Sequence, residues 1–205
     1  VGPGLVLNEL IESDYFNYIP LNQIYRQSDN SYIPFLAKEI KNNDLSEEFL
    51  TKKDDYNFVK VDSSNIKGAI TQITNYSLSK GLDERNVQVL APMYKGEAGI
   101  DALNSALQEI YNPPERHKDE VIYGEYIYRE KDKVLQLVND LDNNVFNGDI
   151  GFIESINDNY LIINFDGNRV EYDKKDLKQI KHAYAISIHK SQGSEFTHVL
   201  MPISK

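Results

Sequence analysis

The 205-residue sequence contains no cysteine, which removes disulfides, thiolate zinc ligands and cysteine nucleophiles together. No apolar run approaches the roughly 18 residues a membrane-spanning helix needs, and no basic segment with an apolar core opens the chain. Neither membrane insertion nor signal-peptide secretion is expected, and a reducing cytoplasm fits. A GxxxxGKT/S phosphate loop is also missing: GEAGIDALN at 96–104 lacks the lysine and hydroxyl that such a loop presents to phosphate and metal. No acidic motif follows a strand where it would hold magnesium. Positive charge is scarce, with 22 Lys and Arg against 32 Asp and Glu and a net charge of −10. At first sight that balance argues against nucleic acid, because phosphate binding needs local positive potential.

The charge that is present is unevenly placed. Residues 8–55 hold ten acids against five bases, whereas Arg169 to Lys190 carries six bases (Arg169, Lys174, Lys175, Lys178, Lys181, Lys190) against three acids. Such a run suits either a local phosphate-facing surface on an acidic protein or a solvated charged hairpin.

Hydrophobic periodicity gives an alternating α/β order. Residues 5–16 predict a short helix with Leu7, Leu10 and Ile11 on one side, and Ser31 to Leu45 a second, amphipathic one. YNFVKVD at 56–62 predicts a strand. Ser63 or Ser64 would cap a helix from about 65 to 80 that Gly81 ends. NVQVLAPM is a strand, YKGEAGI a glycine-bearing loop and DALNSALQEIY a helix. Strand, helix, strand, loop, helix indicates a mainly parallel sheet with covered faces.

The second half changes character after Asn112-Pro113-Pro114. YGEYIYREKDKVLQLVND reads as strands separated by a turn, and IGFIESI, NYLIINF and RVEYD are short strands joined at Asn157-Asp158 and Asp166-Gly167-Asn168. They predict a small barrel inserted in the α/β domain.

The stretch that organises the rest is AYAISIHKSQGSEFTHVLMP at 183–202, in which two apolar strands flank a polar turn. His189, Lys190, Ser191, Gln192, Ser194 and Glu195 surround Gly193 there. Glycine lets backbone N–H groups approach an anion, and lysine and serine add donors. A solvated loop or a capped helix start would use the same residues.

HKSQGSEF in this setting resembles motif V of superfamily 1B DNA helicases of the RecD/RecD2 type. Other segments agree in order. VGPG at 1–4 is similar to the tail of motif III, although the Gly-Asp-x-x-Gln-Leu-type stretch that usually precedes it is absent. NQIYRQ at 22–27 resembles the Arg-Gln motif, VLAPMYKGEAGIDALNSALQ at 89–108 the Pro-Met-x-x-Gly-x-x-Gly segment, and DKVLQLVND to VFNGDIG at 132–151 the strand leading into domain 2B.

The resemblance implies an α/β fold: a RecA-like parallel-sheet domain 2A with an inserted SH3-like β-barrel, domain 2B. Its expected bounds are 1–148 for the first part of 2A, 149–180 for 2B and 181–205 for the rest. It implies Arg26 as the arginine finger, whose charged fork suits a transferred phosphoryl group; an arginine paired with Asp29 is the plainer reading. Gln27, Gly193 and Glu195 are implied at the ATP, with the Glu195 carboxylate suited to accept from a ribose hydroxyl.

Single-stranded DNA is implied at Met93, Tyr94, Lys95, Gly96 and Asn104, at Asn147, and at His189, Lys190, Ser191 and Gln192. His189 at a strand end and Asn147-Gly148 in a turn also have purely structural readings, and Tyr160, Phe165 and Tyr172 suit either base stacking or barrel core. A metal site from His117, His182, His189 and His198 fits no common ligand spacing. The resemblance further implies ATP and Mg2+ as cofactors of a longer parent, none tightly bound by this chain alone. The phosphate cradle is expected on a separate domain 1A and motif VI beyond Lys205, so the isolated chain is expected to be inactive. The parent would couple ATP hydrolysis to 5′ to 3′ movement on single-stranded DNA. A non-enzymatic nucleic-acid- or protein-binding module, an α/β domain with an SH3-like insert, is the alternative.

Overall fold

The computed structural model describes residues 5–13, 15–19, 30–157 and 160–203. Contacts divide the chain into two units, Val1–Lys60 and Val61–Lys205. The first contains α1 (Val6–Glu12), α2 (Tyr32–Asn42) and a 3-10 turn, Glu47–Leu50. Ser31 starts α2: its Oγ accepts the Ile33 N–H at 3.3 Å and donates to Asp55 Oδ2 at 2.5 Å, while Asp55 Oδ1 accepts the Tyr32 N–H at 3.2 Å. Asn43, left-handed at φ 54°, ends it. Tyr32 packs against Phe35 and Tyr56 and is the only buried residue among those described in this unit. Leu7 and Leu10 of α1, and Ile33, Phe35 and Ile40 of α2, remain exposed.

Residues 56–62, expected as a strand, form none. The alternation is present, but no described strand lies alongside to accept a ladder, and Phe58, Val59 and Val61 stay exposed.

The second unit runs α3 (Ile66–Ser79), β1 (Val87–Ala91), α4 (Ile100–Tyr111), β2 (Glu120–Tyr123), β3 (Tyr126–Arg129), β4 (Lys133–Gln136), β5 (Ile150–Ile156), β6 (Tyr160–Phe165), β7 (Asn168–Asp173), β8 (Ile180–His182), β9 (Ala185–Ser187) and β10 (His198–Leu200). Neither Ser63 nor Ser64 caps α3; a 3-10 turn, Ser63–Asn65, leads into it without a side-chain hydrogen bond. Gly81, at φ 82°, ends it as expected.

β1 lies between β10 and β9, parallel to both. Burial on both faces explains why VQVLA is apolar almost without interruption. On one face Ile66 and Ile70 of α3 and Leu103 and Leu107 of α4 pack on Val89, Ala91, Tyr184 and Ala185. On the other, Leu90 and Ile186 meet Ala183 and Leu135. Each fully buried side chain of this kind contributes roughly 1.5–3 kcal/mol.

Strands β7-β6-β5-β4-β8 form an antiparallel sheet. Asp166 and Gly167, with φ of 49° and 93°, make the tight β6–β7 turn that the sequence predicts. Phe165 and Tyr172 enter this sheet's core with Tyr128, Val134, Val145, Ile153 and Ile163, while Tyr160 is half-buried. Of the two readings, Phe165 and Tyr172 take the barrel-core one. The sheet is wider than the expected 149–180 insert: it takes in β4 before that span and β8 at its end. The β2–β3 hairpin adds Val121 and Tyr128 to the same core.

Candidate functional site

The register Ala91↔Ser187 brings the carboxyl ends of β1 and β9 to one edge of the parallel sheet. The loop after β1 and the turn after β9 therefore leave side by side, where open α/β sheets bind ligands. Met93, Tyr94, Lys95 and Gly96 come from the first, and His189, Lys190, Ser191, Gln192 and Gly193 from the second.

The first loop is folded back on α4. The Ile100 N–H donates to Met93 O at 2.9 Å and the Asp101 N–H to Tyr94 O at 3.3 Å. A Cβ on Gly99 would meet Tyr94 O at 2.5 Å, so only glycine fits this closure. Gly96 supplies the left-handed turn at φ 98°. These bonds occupy donors at the α4 N-terminus with protein carbonyls, consistent with the absence of a phosphate-loop motif. Met93, Tyr94 and Lys95 face solvent. Lys181 Nζ lies 5.8 Å from the Tyr94 ring and 5.5 Å from that of Tyr126, with Asp101 Oδ1 at 3.8 Å. Burial opposes the Lys181 charge, but the Tyr126 hydroxyl, Asp101 and Tyr94 outweigh it and raise its pKa above the ordinary value.

The second turn is knit by its own backbone. Ser187 O accepts the N–H groups of Lys190 and Ser191 at 3.0 and 3.2 Å, the Ser191 hydroxyl donates to Ile188 O at 2.8 Å, and the Ser194 N–H donates to Ser191 O at 3.0 Å. With Gly193 at φ 90°, His189, Gln192 and Glu195 are left exposed. Asn147 joins this group from the turn before β5: its Oδ1 accepts a hydrogen bond from Lys190 Nζ.

Asn104 does not face the site. It is buried, its Nδ2 donates to Ala185 O at 2.9 Å and its Oδ1 accepts the Ala185 N–H at 2.8 Å, so the amide closes the outer edge of β9. The expectation of a DNA contact there is corrected by this reciprocal pair. Arg26 and Gln27 lie outside the described residues.

Sequence reasoning missed a buried polar joint at the far end of α4 from the first loop. Asp132, wholly buried, accepts from Gln108 Nε2 (2.6 Å), Asn112 Nδ2 (2.7 Å), the Arg129 N–H (2.8 Å), Tyr184 OH (2.8 Å) and His182 Nε2 (3.1 Å). Gln108 Nε2 also donates to Ile127 O, so its two hydrogens are taken, and His182 Nε2 acts as a donor to the carboxylate. Burial is the largest influence on Asp132 and would raise its pKa, yet the donors led by His182 hold it below the usual carboxylate value. Beside it, burial pushes Lys133 down to about 8; its Nζ donates to Glu84 O at 2.7 Å and Gln88 Oε1 at 2.9 Å. These residues tie α4 and β1 of the α/β layer to the antiparallel sheet. No motif marks them, because the side chains that meet Asp132 come from 20 to 52 positions away and meet it only in the fold.

Comparison with known proteins agrees with this architecture. Residues 103–165 match the family model described as the ATP-dependent RecD-like DNA helicase SH3 domain. The chain is 41% identical over 114 residues to the ATP-dependent RecD2 DNA helicase of Deinococcus radiodurans, covering 56% of this chain and 16% of that protein. It is 36% identical over 124 residues to the RecBCD enzyme subunit RecD of Buchnera aphidicola, covering 58% of this chain and 20% of the relative. A crystal structure of Bacteroides Pif1 bound to single-stranded DNA shares the fold with a TM-score of 0.55 at 17% identity, over 97% of this chain and 52% of that one. The chain thus spans about a fifth or less of the length of either curated relative.

Proposed function

We propose that the chain is part of a RecD-like superfamily 1B helicase and forms the RecA-like domain 2A and SH3-like domain 2B of an ATP-driven motor moving 5′ to 3′ on single-stranded DNA. The observation that carries this reading is the convergence of two loops, 93–96 and 189–193, at one sheet edge through the Ala91↔Ser187 register. Lys95 and Lys190 offer cations there, Tyr94 a ring face, and His189 and Gln192 further polar contacts, a combination suited to backbone phosphates and stacked bases without sequence readout.

Gly193 and Glu195, on the same turn, face the nucleotide in this reading. A change at the γ-phosphate then shifts a segment that also holds the strand. Arg26 supplies the positive charge that meets the transferred phosphoryl group, and Gln27 orients the site. ATP and Mg2+ are held chiefly by a phosphate-cradling domain 1A of the same protein; Mg2+ neutralises phosphate charge there, while this chain brings the finger and the DNA-facing turn. The exposed apolar faces of α1 and α2 supply a surface on which such a domain packs.

R26A in the full-length protein tests the assignment. Turnover should fall by roughly a thousandfold or more, while single-stranded DNA affinity stays within about twofold, because the charge acts on the transition state and not on the strand. Equal loss of both in a folded variant contradicts the finger.

A further inference from the structure

We infer that Asn147 is a positioning residue: it holds the Lys190 ammonium toward the strand, acting through the lysine and not by touching DNA itself. This rests on the reading of Lys190 as a DNA contact. The turn that carries Asn147 has its groups committed. The Asn147 N–H donates to Asn139 Oδ1 at 2.9 Å, the Phe146 N–H to Asp149 Oδ2 at 2.7 Å and the Gly148 N–H to Gln136 O at 2.9 Å. Gly148, at φ 108°, brings this backbone against the motif turn: a Cβ there would lie 3.9 Å from Lys190 O.

A rigid turn of the antiparallel sheet thus presents one oxygen, Asn147 Oδ1, to Lys190 Nζ. The chemistry of that oxygen matters. An amide carbonyl takes one of the three ammonium donors and leaves the charge intact, whereas a carboxylate would neutralise it. Among the described residues no carboxylate pairs with Lys190. The lysine therefore loses rotamer freedom before it meets a phosphate but keeps its electrostatic attraction. The contact also gives the small antiparallel sheet a direct hold on the turn after β9.

The test is a double-substitution cycle in the full-length protein, reading the affinity for an oligothymidylate of about 16 nucleotides between about 50 and 200 mM salt. K190A should weaken binding roughly threefold to tenfold and lower the salt slope by about one contact. N147A should weaken binding in the same direction and also lower the slope, a readout that a simple loss of folded protein does not move. In the K190A background N147A should add nothing. If the two substitutions multiply, Asn147 acts on DNA independently and the inference is overturned. If K190A alone changes neither affinity nor slope, the underlying reading of Lys190 fails and the inference with it. Asn147 is not among the residues with positive φ, so alanine suits its backbone. Should N147A nevertheless melt early, N147S, which keeps a turn-compatible polar side chain but withdraws the long Oδ1 reach, enters the same cycle.

Discussion

Among the described residues, Val61–Lys205 carries three clusters of buried apolar residues and a carboxylate with five donors, whereas Val1–Lys60 buries Tyr32 alone. Both contain amphipathic helices. α3 and α4 place Ile66, Ile70, Leu103 and Leu107 against β1 and β9, while α1 and α2 keep Leu7, Leu10, Ile33 and Ile40 exposed. An apolar stripe is a requirement for a partner and does not itself provide one. In the proposed motor the nucleotide-binding half would supply that partner.

Separating the units should break them unequally, and this is the largest effect expected. Residues 61–205 expressed alone should unfold cooperatively in a circular-dichroism melt. Residues 1–60 alone should show no cooperative transition. A sharp melt of the short piece would show that it holds a core the exposed stripes do not suggest.

Within the second unit, D132A should cost about 3–5 kcal/mol, since it strands buried donors from α4, β3, β8 and Tyr184. Denaturant titration measures it, and a loss under about 1 kcal/mol would mean that the joint is not what binds the two sheets. The sign with pH follows from the depressed carboxylate. Its stabilisation is complete above the ordinary value of 3.8 and disappears as pH falls through its lower folded value. D132N should lack that component of acid sensitivity.

Lys133 gives a smaller effect of opposite character. Its folded pKa of about 8 lies below the ordinary 10.5, so between the two the unfolded chain binds more protons and stability rises with pH. Relative to K133M, the natural chain should gain about 3 kcal/mol from near neutrality to above the ordinary lysine value. A flat difference across that range would place Lys133 in contact with water.

How much of this was legible depends on whether the signal was local. The bounds of α3, α4 and β5 to β7 follow from period and turn residues, and Gly81 and Asp166-Gly167 mark turns by backbone geometry that few other residues accept. Residues 56–62 alternate like a strand, but a strand also needs a neighbour, which alternation does not encode. Asn104 was implied as a DNA contact by resemblance alone, which carries no information on which way the side chain is paired; in the fold its amide meets the open edge of β9. The Asp132 joint was invisible because Asp132-Lys133 stands in a charged run that reads as a turn, and its partners come from three separate segments, Gln108 with Asn112, Arg129, and His182 with Tyr184. The motif turn stands out in the sequence because its polar cluster is contiguous, whereas its contact with Asn147 joins positions 43 apart and leaves no local trace.

The central claim is that the loop after β1 and the turn after β9 form one track for single-stranded DNA, and the salt dependence of affinity tests it most directly. In correctly folded full-length protein, K95A combined with K190A should reduce the slope of log affinity against log salt by about 1.4, the release of two single-strand contacts. A slope unchanged in the double variant would contradict the claim and place the strand elsewhere on the molecule.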